Sequence, residues 1–365
     1  MFSPSFYFFK GVFILEITQD LIHWYRDFSR PLPFRESPTP YSIWISEIMA
    51  QQTQIHTLLP YYQRFVAQFP SVFDLAKADE SEVLKLWEGL GYYSRAKNLH
   101  KAAKIVVSSY HGQLPQNEKE LLALPGIGPY TAGAILSIAF GLPFAAVDGN
   151  VLRVITRLFN WEDDISLAKT KKKVGNAVVS MMDNDPGMLN EALMELGALV
   201  CTPKNPSCPT CPIHCHCLGL KHNQVANLPQ KSKSVTKKRM AMEVGIIMTN
   251  DHRIYIEKRG TKGLLSGLWG FPIYEKQGAI PEAELYHQLN STFPALTKGE
   301  YLGKTTHVFT HIIWDMDVYV YHLSPYMAEN TPAYGESSNS AFVTYEALSN
   351  DYTLPVAFSK LLTFI

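Results

Sequence analysis

Two carboxyl side chains in contrasting surroundings can divide acid–base work, and two stretches of this 365-residue chain are built that way. Glu47 lies in "IWISEIMAQQTQI", inside a predicted helix whose neighbours Ile45, Ile48 and Met49 are apolar. Desolvation there raises a carboxyl pKa and keeps a proton available. Asp148 lies in "VDGNVLRVITRLF", just before a predicted helix, with Asn150 two residues on. An aspartate at a helix cap accepts backbone N–H bonds at the positive end of the dipole, so it is expected to stay ionised. One carboxyl held protonated and one held charged is a pairing suited to breaking a glycosidic bond. Taken singly, each has a plainer reading: a solvent-facing glutamate on an amphipathic helix, and a structural cap.

A second group of reactive side chains is the run "CTPKNPSCPTCPIHCHC", which holds all five cysteines between Cys201 and Cys217. No export signal accompanies them, and cysteines crowded into one loop are poorly placed for disulfides. Metal ligation is the better reading. The ligands are either Cys201, Cys208, Cys211 and Cys217, spaced C-x6-C-x2-C-x5-C, or a zinc set that includes His214 or His216. Four thiolates suit a [4Fe–4S] cluster as well as zinc. Pro203, Pro206, Pro209 and Pro212 stiffen the loop, and Lys204 stands where it could reach a phosphate.

In "LPGIGPYTAGAI" a helix is expected to end at Leu124 and another to start near Pro129, with Gly126 and Gly128 between them. Backbone N–H groups exposed at such a helix start favour an anion. The pattern, over about residues 121–140, matches a helix-hairpin-helix, which grips a DNA phosphate without reading sequence.

The elements that must position these groups fall into two kinds. The length exceeds one ordinary core and argues for two domains. With 46% hydrophobic and 18% charged residues the composition is that of a folded globular chain. Thirty-three basic residues balance thirty-three acidic ones, so any nucleic-acid binding must come from local patches rather than a global field. The opening "FYFFKGVFIL" is apolar but short and is interrupted by Lys10; it reads as a capping strand or ragged start, with the cytoplasm as the default compartment. Residues 18 to 223 carry apolar residues at three- and four-residue intervals and read as helical. A linker rich in Lys, Ser and Pro is expected over 224–240. From Met242 the period changes: "MEVGIIMTNDHRIYIEKR" reads as two strands about an Asn-Asp turn, and "HVFTHIIWDMDVYVYHL" alternates like one long half-buried strand. A helix is expected near "PVAFSKLLTFI".

The cysteine spacing, following "LNEALMELGALVC", resembles the cluster loop of the endonuclease III and MutY superfamily of DNA glycosylases. That resemblance implies a [4Fe–4S] cluster on Cys201, Cys208, Cys211 and Cys217, with Cys215 off the pattern. "SEIMAQQTQ" resembles the MutY-type segment whose glutamate protonates a flipped adenine, which implies Glu47 as general acid; the matching aspartate, Asp148, is implied to stabilise positive charge on the sugar. By the same resemblance Gln52 enters the base stack, Tyr92 in "GLGYYSR" stacks beside it, and Arg30 and Arg35 in "RPLPFR" line the adenine pocket with Glu191. Phe34 departs from the family's usual Trp. The lysine that a bifunctional lyase needs for a Schiff base is replaced at the matching hairpin position by Tyr130, which implies a monofunctional hydrolase.

The fold expected is therefore multi-domain, α and α+β: a helical helix-hairpin-helix glycosylase domain with its iron–sulfur loop over residues 1–223, and a MutT-like (Nudix-like) α+β domain over 241–365. "KGLLSGLWGFP" and "THVFTHIIWDMDVYV" carry the latter resemblance, but no R-E-x-x-E-E box lies between Pro272 and Leu302, which implies a lesion sensor rather than a pyrophosphatase. Phe309, Thr310 and His311 match a Phe-Ser-His loop that contacts 8-oxoguanine; Thr310 keeps the hydroxyl and adds a methyl group. The expected partner is double-stranded DNA holding A:8-oxoG or A:G mispairs, bound by a monomer and away from membranes. A thymine-glycol or mismatch glycosylase with lyase activity, and a catalytically silent lesion binder, are the competing readings; Tyr130 disfavours the first, and the joint presence of Glu47 and Asp148 the second.

Overall fold

The first helix is longer than the sequence suggests: where a capping strand or ragged start is expected, the backbone runs as α1 from Pro4 to Phe28. Its second half carries the reason, since Ile17 and Leu21 are fully buried against the helical core. The computed structural model describes residues 4–232, 236–276, 281–293, 296–323 and 337–365. Along the chain follow α2 (Pro33–Glu36), α3 (Pro40–Ala50), α4 (Ile55–Gln68), α5 (Val72–Lys77), α6 (Glu80–Leu86), α7 (Ser94–Tyr110), α8 (Glu118–Ala123), α9 (Pro129–Ala134), α10 (Gly149–Leu158), α11 (Ala168–Met181), α12 (Pro186–Leu199) and α13 (Leu218–Lys221). Among the described residues no helix is long and apolar enough to cross a membrane.

Two units emerge: Met1–Ala78 with Lys97–Lys233, and Asp79–Ala96 with Ser234–Ile365. In the first, Val151 and Ile155 of α10, Val174 and Val178 of α11, and Leu189, Leu193 and Leu196 of α12 close over Ile17 and Leu21. Side-chain caps fix where helices start. Thr39 and Ser42 form a capping box before α3, Asp148 caps α10 and Asp185 caps α12. The α9 helix continues as a π turn over Ile135–Ala139, and the chain then returns in an extended run toward Asp148.

Asn190 holds that run. Fully buried on α12, it accepts the Ala146 N–H at 2.9 Å and donates to Ser137 Oγ at 2.8 Å and the Phe144 carbonyl at 2.8 Å. Gly133 lets the run approach α9, since a Cβ there would sit 2.2 Å from the Ala145 carbonyl oxygen. Together they set where Asp148 emerges.

Among the described residues of the second unit a seven-stranded sheet comprises β1 (Lys238–Met248), β2 (Ile254–Lys258), β3 (Trp269–Gly270), β4 (Ile273–Glu275), β5 (Glu300–Val308), β6 (Ile312–His322) and β7 (Ser340–Val343). The order is β3-β2-β1-β6-β5, with β4 on β1 and β7 on β2. β1 and β6 are parallel, Lys238 opposite Ile312 through Met248 opposite His322, and the other pairs are antiparallel. Helices α14 (Pro281–Thr292), α15 (Tyr345–Asn350) and α16 (Val356–Ser359) complete it. Leu285 and Leu289 of α14 pack with Ile247 and Tyr321, while Phe358 and Leu361 pack with Val244, Val318 and Trp314.

Two readings need correction. The single long strand expected across "HVFTHIIWDMDVYVYHL" is two, β5 and β6, closed by the Phe309 N–H to Ile312 carbonyl bond at 2.8 Å. Phe309, Thr310 and His311 are thus the turn between them. The α plus α+β architecture stands, but the iron–sulfur loop included in the expected fold does not: among the described residues no group of three or more His, Cys, Asp or Glu side chains is placed to hold a metal ion.

Replacing Asn190 with Ala strands the buried Ala146 N–H, and a loss of about 1–3 kcal/mol in urea-denaturation stability is expected.

Candidate active site

α3 buries Ile43, Trp44, Ile45, Ser46, Ile48 and Met49, leaving Glu47 half-buried on the wall of a cavity of about 820 Å³. Burial raises the Glu47 carboxyl to about 7, assisted by the charges of Asp148 and Glu191 and opposed by the Tyr130 hydroxyl and by Arg35. The Tyr130 hydroxyl donates to Glu47 Oε2 at 2.6 Å and lies 3.3 Å from Met194 Sδ. Burial also holds the Tyr130 phenol well above its ordinary pKa, so it remains a donor. Tyr130 thus reaches from the hairpin to the Glu47 carboxyl, and its bond favours the ionised form against the effect of burial.

Asp148 lines the same cavity from the start of α10. Its Oδ1 accepts the Val151 N–H at 2.7 Å and its Oδ2 accepts Asn150 Nδ2 at 2.8 Å. The cap is therefore as the sequence suggests, but its electrostatic consequence is weaker. Burial raises the Asp148 carboxyl above its ordinary value despite the bonds from Val151 and Asn150 that pull it down. Arg153, which the sequence reading passed over, orients Asn150: its Nη2 donates to Asn150 Oδ1 at 2.8 Å and to the Gly197 carbonyl at 2.7 Å, and its Nε to the Cys201 carbonyl at 2.7 Å.

The far wall carries Arg30, Arg35, Glu191 and Glu195. Arg35 Nε faces Glu191 Oε1 at 3.3 Å, and Glu195, also missed from sequence, receives both guanidiniums. The Phe34 ring lines the cavity and meets Tyr62 edge-on at 5.3 Å, so the departure from Trp is absorbed by packing.

The residues expected to meet DNA are surface-placed. Gln52, exposed in the turn after α3, adopts a positive φ of 58°, a conformation that side chains other than glycine seldom hold without cause. Gly126 (φ 81°) makes the hairpin turn with Asn98 behind it, and Gly128 precedes α9 with no side-chain cap and open space where a Cβ would be. Tyr92 falls in the other unit; it is 44% exposed with φ 50°, and Thr310 Oγ1 donates to its hydroxyl at 3.2 Å. Phe309 is packed edge-on between His307 at 4.6 Å and Trp314 at 4.8 Å, while Thr310 and His311 are exposed.

The cysteine expectation is overturned. Cys201, Cys208, Cys211 and Cys217 border one small pocket with Val200 and Leu220, yet no arrangement able to hold a metal ion is found among the described residues, neither the four-thiol set for [4Fe–4S] nor a set with His214 or His216. Burial raises the thiols of Cys208 and Cys217 and pushes Cys211 up to about 12. The loop is held instead by Arg157, which donates to Cys201 Sγ at 3.4 Å and to the Thr202 carbonyl at 2.7 Å.

Known proteins resemble this chain over both halves. A family model for HhH-GPD superfamily base excision DNA repair proteins matches residues 45–179, and one for the NUDIX domain matches 243–364. Adenine DNA glycosylase of Buchnera aphidicola subsp. Baizongia pistaciae is 35% identical over 298 residues, covering 80% of this chain and 82% of that one. The Homo sapiens adenine DNA glycosylase is 32% identical over 377 residues, covering 86% and 68%. Among solved structures, a thermostable thymine-DNA glycosylase superposes with a TM-score of 0.51 at 29% identity over 56% of this chain and 95% of its own.

Burial alone would raise Glu195, but the bonds from Arg30 and Arg35 outweigh it and take the carboxyl down to about 2. A depressed carboxyl stabilises the fold above its unfolded pKa and loses that contribution as pH falls through the folded value. Denaturation at pH 6 and pH 3 should therefore show a stability loss on acidification, of which on the order of 1–2 kcal/mol disappears in Glu195→Gln.

Proposed function

The chain belongs to the adenine DNA glycosylases, which free adenine from DNA in base excision repair, and we propose that Glu47 is its general acid and Asp148 the group that stabilises charge on the sugar. One observation carries this reading: Glu47, with its carboxyl at about 7 and the Tyr130 hydroxyl upon it, shares a single cavity with Asp148. A glycosidic bond inside a duplex is out of reach, so the adenine nucleotide is turned out of the stack into that cavity. Glu47 protonates N7, making adenine a better leaving group. Asp148, oriented by Val151 and Asn150, offsets positive charge on the oxocarbenium-like sugar, and water completes hydrolysis at C1′.

The activity is monofunctional in this reading, because no lysine is among the described residues lining the cavity and Tyr130 stands at the hairpin position. Arg30, Arg35 and Glu191 bind the everted base. Gln52 enters the stack vacated by it, Tyr92 stacks on a base of the DNA, and Gly126 and Gly128 hold a phosphate. The substrate is adenine opposite 8-oxoguanine or guanine. Residues 1–223 carry the excision chemistry, and 241–365 read the opposite base through Phe309, Thr310 and His311.

Glu47→Gln should abolish adenine release from A:8-oxoG and A:G duplexes while mismatch binding, measured by gel shift, persists; in the native enzyme single-turnover excision should fall as pH rises through about 7, where Glu47 loses its proton. An active Gln variant ends the assignment. Thr310→Ala with His311→Ala should reduce excision from A:8-oxoG more than from A:G by roughly tenfold, the size of one or two lost hydrogen bonds; equal loss on both duplexes would remove the sensor role.

A further inference from the structure

Glu195 lies one helical turn beyond Glu191 on α12, with its side chain 1% exposed on the wall of the base cavity. Its Oε1 accepts Arg30 Nε at 2.7 Å and the Arg30 backbone N–H at 3.0 Å. Its Oε2 accepts Arg30 Nη2 at 2.8 Å and Arg35 Nη2 at 3.0 Å. One carboxylate thus takes four N–H bonds from two arginines of a single short segment. The arrangement is closed on its other sides: Arg35 Nη1 donates to the Arg30 carbonyl at 3.3 Å, Arg35 Nε faces Glu191 Oε1 at 3.3 Å, and the Arg35 guanidinium lies 5.3 Å over the Tyr25 ring.

A guanidinium gripped on two edges cannot swing, so the donors it offers to a base are oriented before the base arrives. Charge follows the same geometry. Arg35 acts on Glu47 as a positive charge, and Glu195, within hydrogen-bond distance of both Arg35 and Arg30, places an anion against it. Tyr130 from α9, Asp148 at the head of α10, Glu191 from α12 and Arg35 from α2 are the groups that act on Glu47, and only Arg35 among them is a cation.

We propose that Glu195 is a positioning residue for adenine excision: it locks Arg30 and Arg35 onto the wall of the base pocket and cancels charge that they would otherwise direct at the acid. The inference rests on Glu47 being that acid. Glu195 touches neither base nor sugar in this role; it acts through the two arginines.

The test is single-turnover excision from an A:8-oxoG duplex across pH 5–9 for the full-length native protein, Glu195→Gln, and the double variant Arg35→Gln with Glu195→Gln. The Gln variant is expected to move the alkaline limb to lower pH by roughly half a unit, about a threefold rate loss above the limb, with the half-saturating DNA concentration unchanged. The double variant removes the cation that acts on Glu47 together with the anion and should return the limb toward its native position, though its rate stays low because Arg35 also lines the pocket. A Gln variant whose limb coincides with the native one, or a double variant that does not restore it, overturns the proposal. Should circular dichroism show the Gln variant unfolded, Glu195→Asp, which keeps the charge, must retain the native limb; a displaced limb there refutes the charge role. An active Glu47→Gln enzyme would instead locate the failure in the acid assignment, whereas an inactive one beside an unshifted Glu195→Gln limb locates it in Glu195 alone.

Discussion

The site depends on keeping one carboxyl away from water. Glu47 stands on α3 among buried Trp44, Ile45, Ile48 and Met49, and from there it faces a cavity shared with Tyr130, Asp148, Arg35 and Glu191, where burial raises its carboxyl. The consequence reaches α9, where Tyr130 donates a single bond to the carboxyl, and α12, where the acidic and basic side chains of the far wall settle in pairs. Burial raises Asp148 too, but its two bonds from the start of α10 resist the rise. The difference between the two carboxyls therefore comes from hydrogen bonding, since Asp148 has a backbone amide on it and Glu47 has the Tyr130 hydroxyl.

The outer residues follow a different logic. Gln52, Tyr92 and the glycines at 126 and 128 lie in turns, and several hold backbone conformations that ordinary residues avoid. Balanced net charge makes this placement necessary, because a neutral chain has no general attraction for DNA and must rely on local donors. In the second unit the turn between β5 and β6 is braced from beneath by Phe309 on Trp314, and from the side by the Lys237 ammonium on the Phe309 carbonyl at 2.9 Å. Thr310 and His311 are left outward at its tip.

Much of this was legible in the residues. The apolar spacing around Glu47, the cap at Asp148 and the Gly-x-Gly hairpin are local patterns, and local patterns survive into the fold. Glu195 was missed although its signal was present: it stands at i+4 from Glu191, so two acids share a face of α12, and "RPLPFR" supplies two cations without evident partners. What sequence did not reveal was that a segment 160 residues away meets that face. The β5–β6 turn was hidden because alternation continues across it, with Phe309 inward as if still in a strand. The cysteine spacing misled in the opposite direction, since spacing along the chain does not fix where the side chains are placed, and among the described residues no group is placed to hold a metal ion.

The most direct measurement is a carbon-13 titration of the Glu47 side-chain carboxyl in glutamate-labelled protein, assigned by difference against Glu47→Gln. A midpoint near 7 is expected for a group shielded as Glu47 is. A midpoint in the ordinary glutamate range, about 4.3, would mean that water reaches the carboxyl and that the chain has no acid to offer at neutral pH.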